Sequence, residues 1–201
     1  MRHRLFSLYH NVRFVSPLKL AVSHPSLSST AAGATAAVQE EGLVKAILPC
    51  TPLAIVKTLE HMQVYNTLLP YGSRAYGKTI AVINRSEVVG RPLAALLAND
   101  GARVFSVDLD GVQEFTKRRQ PTESAEKLRF HAHHVVHKTS MELRECLERS
   151  DVVIAGVPSA SYKIKTEWLK DGVVAINFSE NKNFEADIKE KVRSTPYAST
   201  S

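Results

Sequence analysis

Cysteine is nearly absent from this chain of 201 residues: only Cys50 and Cys146 occur. Two thiols so far apart build no disulfide framework and suit a reducing compartment. No apolar run approaches the roughly 20 residues that a helix needs to cross a bilayer, so a membrane is not an expected partner. The glycine fingerprint of dinucleotide sites, G-x-G-x-x-G, is missing, and so is the Walker phosphate loop. Acidic residues are missing from one stretch altogether. Residues 1–39 hold Arg2, Arg4, Arg13 and Lys19, and Glu40 is the first acid. The net charge of +6 is therefore uneven, with 22 basic against 20 acidic groups from residue 40 onward, a net of +2. A near-neutral globular part gives no case for nucleic acid.

The acid-free stretch is rich in Ser, Arg and His, a composition resembling a mitochondrial transit peptide. A disordered tail, or sequence foreign to the protein, would read the same way. The remainder is ordinary globular material, 44% hydrophobic and 23% charged, enough for a core.

What the chain does contain is a strand, a turn and a helix in immediate succession over Lys78–Pro92. The apolar run Ile80-Ala81-Val82-Ile83 ends in Asn84-Arg85-Ser86, and a helical pattern through Leu93, Leu96 and Leu97 follows at once. A helix starting there points its unpaired N–H groups and positive dipole end into the turn, which favours an anion such as a cofactor phosphate. Ser86 adds a hydroxyl, and Gly90 permits close packing of helix on strand. The plainer alternative leaves Ser86 a helix cap and Arg85 a solvated turn residue.

The pattern continues on both sides. Pro49-Cys50-Thr51-Pro52 opens a helix to about Asn66, with Thr51 as its N-cap and Pro52 at the first helical position. The central helix spans about Val88 to Asn99 and stops at Asp100-Gly101. Strands are expected over 79–84, 103–108, 151–154 and 173–178, with short helices near 141–149, 168–169 and 184–192. Residues 117–138 read as a charged, His-rich excursion with one short strand near Val135-Val136. Apolar strands alternating with helices predict a doubly wound α/β fold with a parallel, Rossmann-like sheet. The domain expectation is a disordered leader or foreign segment over 1–44, an inter-domain helix and linker over 45–75, the nucleotide-binding domain over 76–194 and a tail over 195–201.

Asp108 gives the anion site a direction. It closes the second strand at about the separation from Arg85, roughly 20 residues, at which Rossmann domains place the acid that reads the adenosine ribose. A carboxylate there accepts the ribose hydroxyls and repels a 2′-phosphate, favouring NAD over NADP. A polar turn of Asp108, Asp110 and Gly111 is the plain alternative, and Arg85 could pair with Asp108 or offset its repulsion. Gly156-Val157-Pro158 follows the strand Val152–Ile154 at the same sheet edge, where glycine allows a close approach or simply a turn. His131, His133, His134 and His137 match no zinc spacing, and no metal is expected. Cys50 has no nearby base to activate it.

Taken together, these residues resemble the methylenetetrahydrofolate dehydrogenase/cyclohydrolase family. The resemblance rests on Lys45–Pro52, Tyr76-Gly77-Lys78, Asn84–Pro92, Leu93–Leu97, Asp151–Ile154 and Gly172–Asn177, and covers about Lys45 to Val192. It is nearest to the monofunctional NAD-dependent branch, which has Asn where other members have Gly before Arg-Ser, and Val-Asp after the second strand, here Val107-Asp108. The resemblance implies NAD-dependent oxidation of methylenetetrahydrofolate to methenyltetrahydrofolate in one-carbon metabolism. By residue, it implies that Asn84, Arg85 and Ser86 form the cofactor turn and Asp108 the ribose reader. Gly156 and Val157 would lie along the cofactor, and Ser179 and Glu180 near its nicotinamide. Pro49, Cys50, Thr51 and Pro52 would face the folate cleft, and the catalytic residues stay unassigned. A tetrahydrofolate-type substrate, a homodimer and the cytoplasm are also implied, with mitochondria the alternative if 1–39 is a genuine leader. The family's folate-binding domain and its Tyr-x-x-x-Lys motif precede Pro-Cys-Thr-Pro, whereas no Tyr here has Lys four residues later. The expectation is therefore a cofactor half with little activity of its own, or else a non-catalytic NAD-binding module.

Overall fold

The central strands of this chain are apolar on both faces, and that decides the layout. In β1 (Thr79–Ile83), Ile80 and Val82 enter one hydrophobic cluster while Ala81 and Ile83 enter another. The same alternation holds in β2 (Arg103–Asp108), with Val104 against Phe105 and Val107, and in β5 (Val152–Ala155), with Val152 and Ile154 against Val153 and Ala155. Strands with two apolar faces need a covering layer on each side. The computed structural model describes residues 49–118, 131 and 133–192; the expectations for 1–48, 119–130, 132 and 193–201 lie outside the described residues.

One layer consists of α1 (Cys50–His61) and α2 (Gly90–Asn99). Helix α2 buries Leu93, Leu96, Leu97 and three alanines, so it is apolar nearly all round. Small residues let it sit close to the sheet, and losing a buried leucine such as Leu97 to alanine would cost about 2–5 kcal/mol. The opposite layer consists of α3 (Leu143–Arg149), whose Cys146 and Leu147 are fully buried, together with Ile164 and Leu169. Two single 3₁₀ turns, Thr166–Trp168 and Ala186–Glu190, stand where short helices were expected.

The sheet has six strands in the order β4-β3-β2-β1-β5-β6, with β6 spanning Val174–Asn177. Strands β2, β1, β5 and β6 pair in parallel, as the apolar runs predict. Strands β3 (Gly111–Thr116) and β4 (Val135–Thr139) add an antiparallel extension, so the sheet is mixed rather than wholly parallel. The expected short strand near Val135 is β4, whereas β3 was not expected. Asp110-Gly111 is the available turn signal, although the pairing of Asp108 with Gly111 makes Leu109-Asp110 the two loop residues and Gly111 the first residue of β3. Arg103 fastens the hairpin with its Nε 2.7 Å from Glu114 Oε1. At the chain's other end α1 begins at Cys50 with Pro49, not Thr51, as its N-cap, and Leu53 N–H donates to Pro49 O at 3.2 Å. It stops at His61, short of the expected Asn66.

Where α2 ends, its C-cap residue Asp100 lies against the buried Tyr65 hydroxyl, and its carbonyl accepts the Ala75 N–H at 2.8 Å. Burial pushes the Asp100 carboxyl up to about 6, with Glu60 adding to the rise and the adjacent Tyr65 hydroxyl, Lys117 and Arg74 opposing it. The folded chain thus keeps a proton there that the unfolded chain releases near its ordinary value of 3.8. Stability from this group is full below the unfolded value and is lost as pH rises through the folded one. In urea unfolding, the wild-type chain should lose stability relative to Asp100→Asn between about pH 4 and pH 7; a pH-independent difference would refute this assignment.

Candidate cofactor-binding site

Hydrogen bonds carry the parallel ladder past the strand ends and so place the expected residues on one edge. Asn84 N–H donates to Val107 O at 3.0 Å, Gly156 N–H to Ile83 O at 3.2 Å, and Phe178 N–H to Ala155 O at 3.0 Å. The carboxyl ends of β2, β1, β5 and β6 therefore present Asp108, Asn84, Gly156 and Ser179 in spatial order. Strand β1 lies between β2 and β5, where the strand order reverses, and ligands of open α/β sheets bind at such a point.

The turn after β1 depends on Asn84, whose φ of 86° lies in the left-handed region. Glycine enters that region freely, and Asn is among the few other residues that do. The Asn84 side chain also bridges the switch point, its Nδ2 donating to Gly156 O at 2.6 Å. The chain then turns sharply enough that Gly90 sits against it. A Cβ on Gly90 would overlap the Asn84 carbonyl oxygen and lie 2.9 Å from Arg85 Cα. Ser86 Oγ accepts the Val89 and Gly90 N–H groups, each at 3.2 Å, so the helix starts at Gly90 and those two amides are occupied. Among the described residues, the N–H groups of Ser86, Glu87 and Val88 have no hydrogen-bond partner. These amides, at a helix start, are the groups able to hold a phosphate.

Asp108 stands exposed at the end of β2 with its carboxylate fixed. Oδ2 accepts the Arg85 N–H at 3.2 Å and Oδ1 accepts the Leu109 N–H at 2.8 Å. Each oxygen keeps a lone pair toward solvent. The acid is thus both part of the hairpin turn and free to accept further hydrogen bonds, so the two readings of Asp108 are compatible in one residue.

Arg85 occupies a different place from the solvated one its turn suggests. Its side chain is 2% exposed and threads beneath the hairpin. Nη1 donates to Asp110 Oδ1 at 2.8 Å, Nη2 to Ser106 O at 2.8 Å and to Gly111 O at 2.6 Å, and Nε to Ser106 Oγ at 3.3 Å. A buried guanidinium is tolerable only when so thoroughly partnered. Its anionic partner is Asp110; Asp108 meets only its backbone.

Gly156 also has a structural reason. A Cβ there would fall inside the Phe178 ring, so packing alone requires glycine. Val157 is held by Asn183, which is fully buried: Oδ1 accepts the Val157 N–H and Nδ2 donates to Val157 O, both at 2.9 Å. Ser179 Oγ donates to the same carbonyl at 3.0 Å, bringing the β5 and β6 ends together. Glu180 beside it is exposed. Asn177 completes the clasp, donating through Nδ2 to Ser179 O and Asn181 O at 2.8 and 3.0 Å. Sequence reading passed over Asn177 and Asn183. Asn177 at the strand end, with Asn181 and Asn183 in the short loop after it, was the available signal, because Asn side chains bond to neighbouring backbone.

Pro49, Cys50, Thr51 and Pro52 sit apart, at the start of α1. Pro52 is buried while Cys50 and Thr51 are exposed, and no hydrogen bond joins them to the cofactor edge among the described residues. The histidines serve the antiparallel extension. His134 stacks on Phe115 with centroids 5.6 Å apart, and His137 faces Glu114 across β3–β4. No group of three or more metal-ligating side chains occurs among the described residues.

Residues 49–121 match the tetrahydrofolate dehydrogenase/cyclohydrolase NAD(P)-binding domain. The likeness to this family is carried by those residues. It is similar to methylenetetrahydrofolate dehydrogenase (NAD(+)) of Saccharomyces cerevisiae, 48% identical over 188 residues, covering 92% of this chain and 49% of that protein. The corresponding Schizosaccharomyces pombe protein is 46% identical over 182 residues, covering 90% and 47%. The solved structure of the Saccharomyces cerevisiae NAD-dependent 5,10-methylenetetrahydrofolate dehydrogenase superposes with a TM-score of 0.69 at 47% identity, covering 94% of this chain and 51% of that one. The chain spans about half the length of these relatives.

The geometry ranks the glycine and the asparagine at the turn. Asn84→Gly keeps the left-handed backbone and removes one hydrogen bond, an expected loss of about 1 kcal/mol. Gly90→Ala forces a Cβ into backbone, an expected loss of about 3 kcal/mol. Urea unfolding of both variants checks the order, and a reversed ranking would contradict the close contact.

Proposed function

We propose that this chain is the cofactor-binding half of an NAD-dependent methylenetetrahydrofolate dehydrogenase. The observation that carries the proposal is the Asp108 carboxylate, fixed by the Arg85 and Leu109 N–H groups at the carboxyl end of β2 beside the switch point. A carboxylate there accepts hydrogen bonds from ribose hydroxyls and repels a phosphate in their place. The N–H groups of Ser86, Glu87 and Val88, at the start of α2, hold the pyrophosphate. Asn84 and Asn183 keep the backbone ends of β1 and β5 at fixed spacing beneath it. NAD, when bound, supplies the hydride acceptor for oxidation of the methylene group.

Substrate and activity come from the relatives' names and from the resemblance, which also extends the proposal to a homodimer and to the cytoplasm, or to mitochondria if residues 1–39 direct import. On the folate side the chain contributes Pro49–Pro52. Holding the cofactor alike in ground and transition states does not by itself speed chemistry, so little turnover is expected from this chain alone.

Calorimetric titration of the 201-residue chain with NAD and with NADP tests the reading. NAD should bind at least about tenfold more tightly than NADP, and Asp108→Ser should shrink that preference. Failure of both dinucleotides to bind at millimolar concentration sinks the cofactor site, and tighter binding of NADP overturns the role of Asp108. Measuring methenyltetrahydrofolate formation separately tests turnover; sustained oxidation by the chain alone would contradict the half-site proposal.

A further inference from the structure

We propose that Asp110 is a specificity-determining positioning residue that keeps the Arg85 guanidinium out of the ribose pocket, so that exclusion of a 2′-phosphate depends on the Arg85–Asp110 pair as well as on Asp108. The inference rests on the NAD reading above and deepens it.

Arg85 is, among the described residues, the cation whose backbone bonds the Asp108 carboxylate. Its backbone N–H touches Asp108 Oδ2, so its Cα stands beside the carboxylate that reads the ribose. A guanidinium extending from that point into solvent would meet a 2′-phosphate with a planar, bidentate fork. The side chain instead turns under the hairpin. Ser106 and Gly111 supply three neutral acceptors there, and Asp110 supplies the negative charge at 2.8 Å. Asp110 is itself 70% exposed and sits at the hairpin tip next to Leu109. It therefore anchors the guanidinium from outside, where its removal leaves the core intact.

Two different physical effects then act against NADP. Asp108 repels the phosphate directly. Asp110 acts through Arg85, by occupying a cation whose position beside Asp108 would compensate that repulsion. Removing Asp108 alone leaves a ribose pocket without a carboxylate but also without an available arginine. Removing Asp110 alone leaves a loosened arginine beside Asp108, which would itself attract it. A substantial gain in NADP binding requires both changes, and the coupling between them is the signature of the arrangement.

The experiment is a double-mutant cycle on the 201-residue chain, with NAD and NADP affinities measured by calorimetry for wild type, Asp108→Ser, Asp110→Ala and the double variant. Each single variant should change NADP affinity by less than about threefold, while the double variant should gain about tenfold or more, the scale of one charge-assisted hydrogen bond. Adding Arg85→Met to the double variant should abolish the gain. As a readout that needs no Arg85 substitution, the Arg85 Nε–H signal in NMR should be protected from exchange in wild type. In the double variant it should shift on NADP addition. A full gain from Asp108→Ser alone, a double variant no better than that single one, or a gain that survives Arg85→Met with the fold retained would overturn the role of Asp110. A wild-type chain that binds neither dinucleotide overturns the NAD reading itself. A chain that binds NAD but shows no coupling overturns only this inference.

Discussion

The contact between Gly90 and the Asn84 carbonyl sets the rest of the nucleotide-binding edge. It requires a left-handed residue at the end of β1 and a residue without a side chain at the start of α2, because nothing wider fits between them. Helix α2 is then brought down on the sheet, its alanines and leucines meeting Ile80, Val82 and Val104. The same contact aims the free amides of Ser86–Val88 across the carboxyl end of β1. Loosening it would separate those free amides from the Asp108 carboxylate. The site's geometry and the core's packing are one constraint.

Polar groups along this edge divide into those already satisfied within the protein and those left open. Arg85, Asn183 and Ser106 belong to the first class, each buried and fully engaged with backbone or a partner side chain. The Ser86–Val88 amides and the outer lone pairs of Asp108 belong to the second. Ser86 straddles the division, since its oxygen accepts from Val89 and Gly90 while its proton stays available. A charged residue beside a site is not thereby a ligand of it, as Arg85 illustrates. What decides is whether its hydrogen-bonding capacity has been used elsewhere.

That distinction explains which features were legible in sequence. The strand–turn–helix over 78–92, the parallel strands and the acid ending β2 follow from local apolar pattern and from spacing along the chain. Asn84 was singled out only through the resemblance, as part of the cofactor turn; its left-handed backbone and its bond to Gly156 O come from the structure. The burial of Arg85 was not legible. It depends on β3 returning alongside β2 to offer Gly111 O and Asp110, and β3 itself was passed over because Gln113 and Glu114 interrupt its apolar pattern. Gly156 is a case where the residue was identified and the reason was not: its neighbour, the Phe178 ring, comes from a strand end far along the chain. Nonlocal packing decides these details, and a linear pattern does not carry it.

The antiparallel extension now has a physical part in the site. A sheet ending at β2 would leave Asp108 on an edge strand, its carboxylate free to swing and its backbone open to pairing with other chains. Turning back through Leu109-Asp110 covers that edge with β3 and fixes the carboxylate through the Leu109 N–H. It also creates the polar cavity beneath the hairpin, which a neutral side chain would leave with the Gly111 and Ser106 carbonyls unpaired, at a cost of about 1–3 kcal/mol each. Arg85 fills it from the neighbouring strand, so the hairpin and the β1 turn hold each other in place. The Asp108 carboxylate is held beside a hairpin that the Arg85 side chain braces from beneath, and that bracing uses the guanidinium's hydrogen-bonding capacity within the protein.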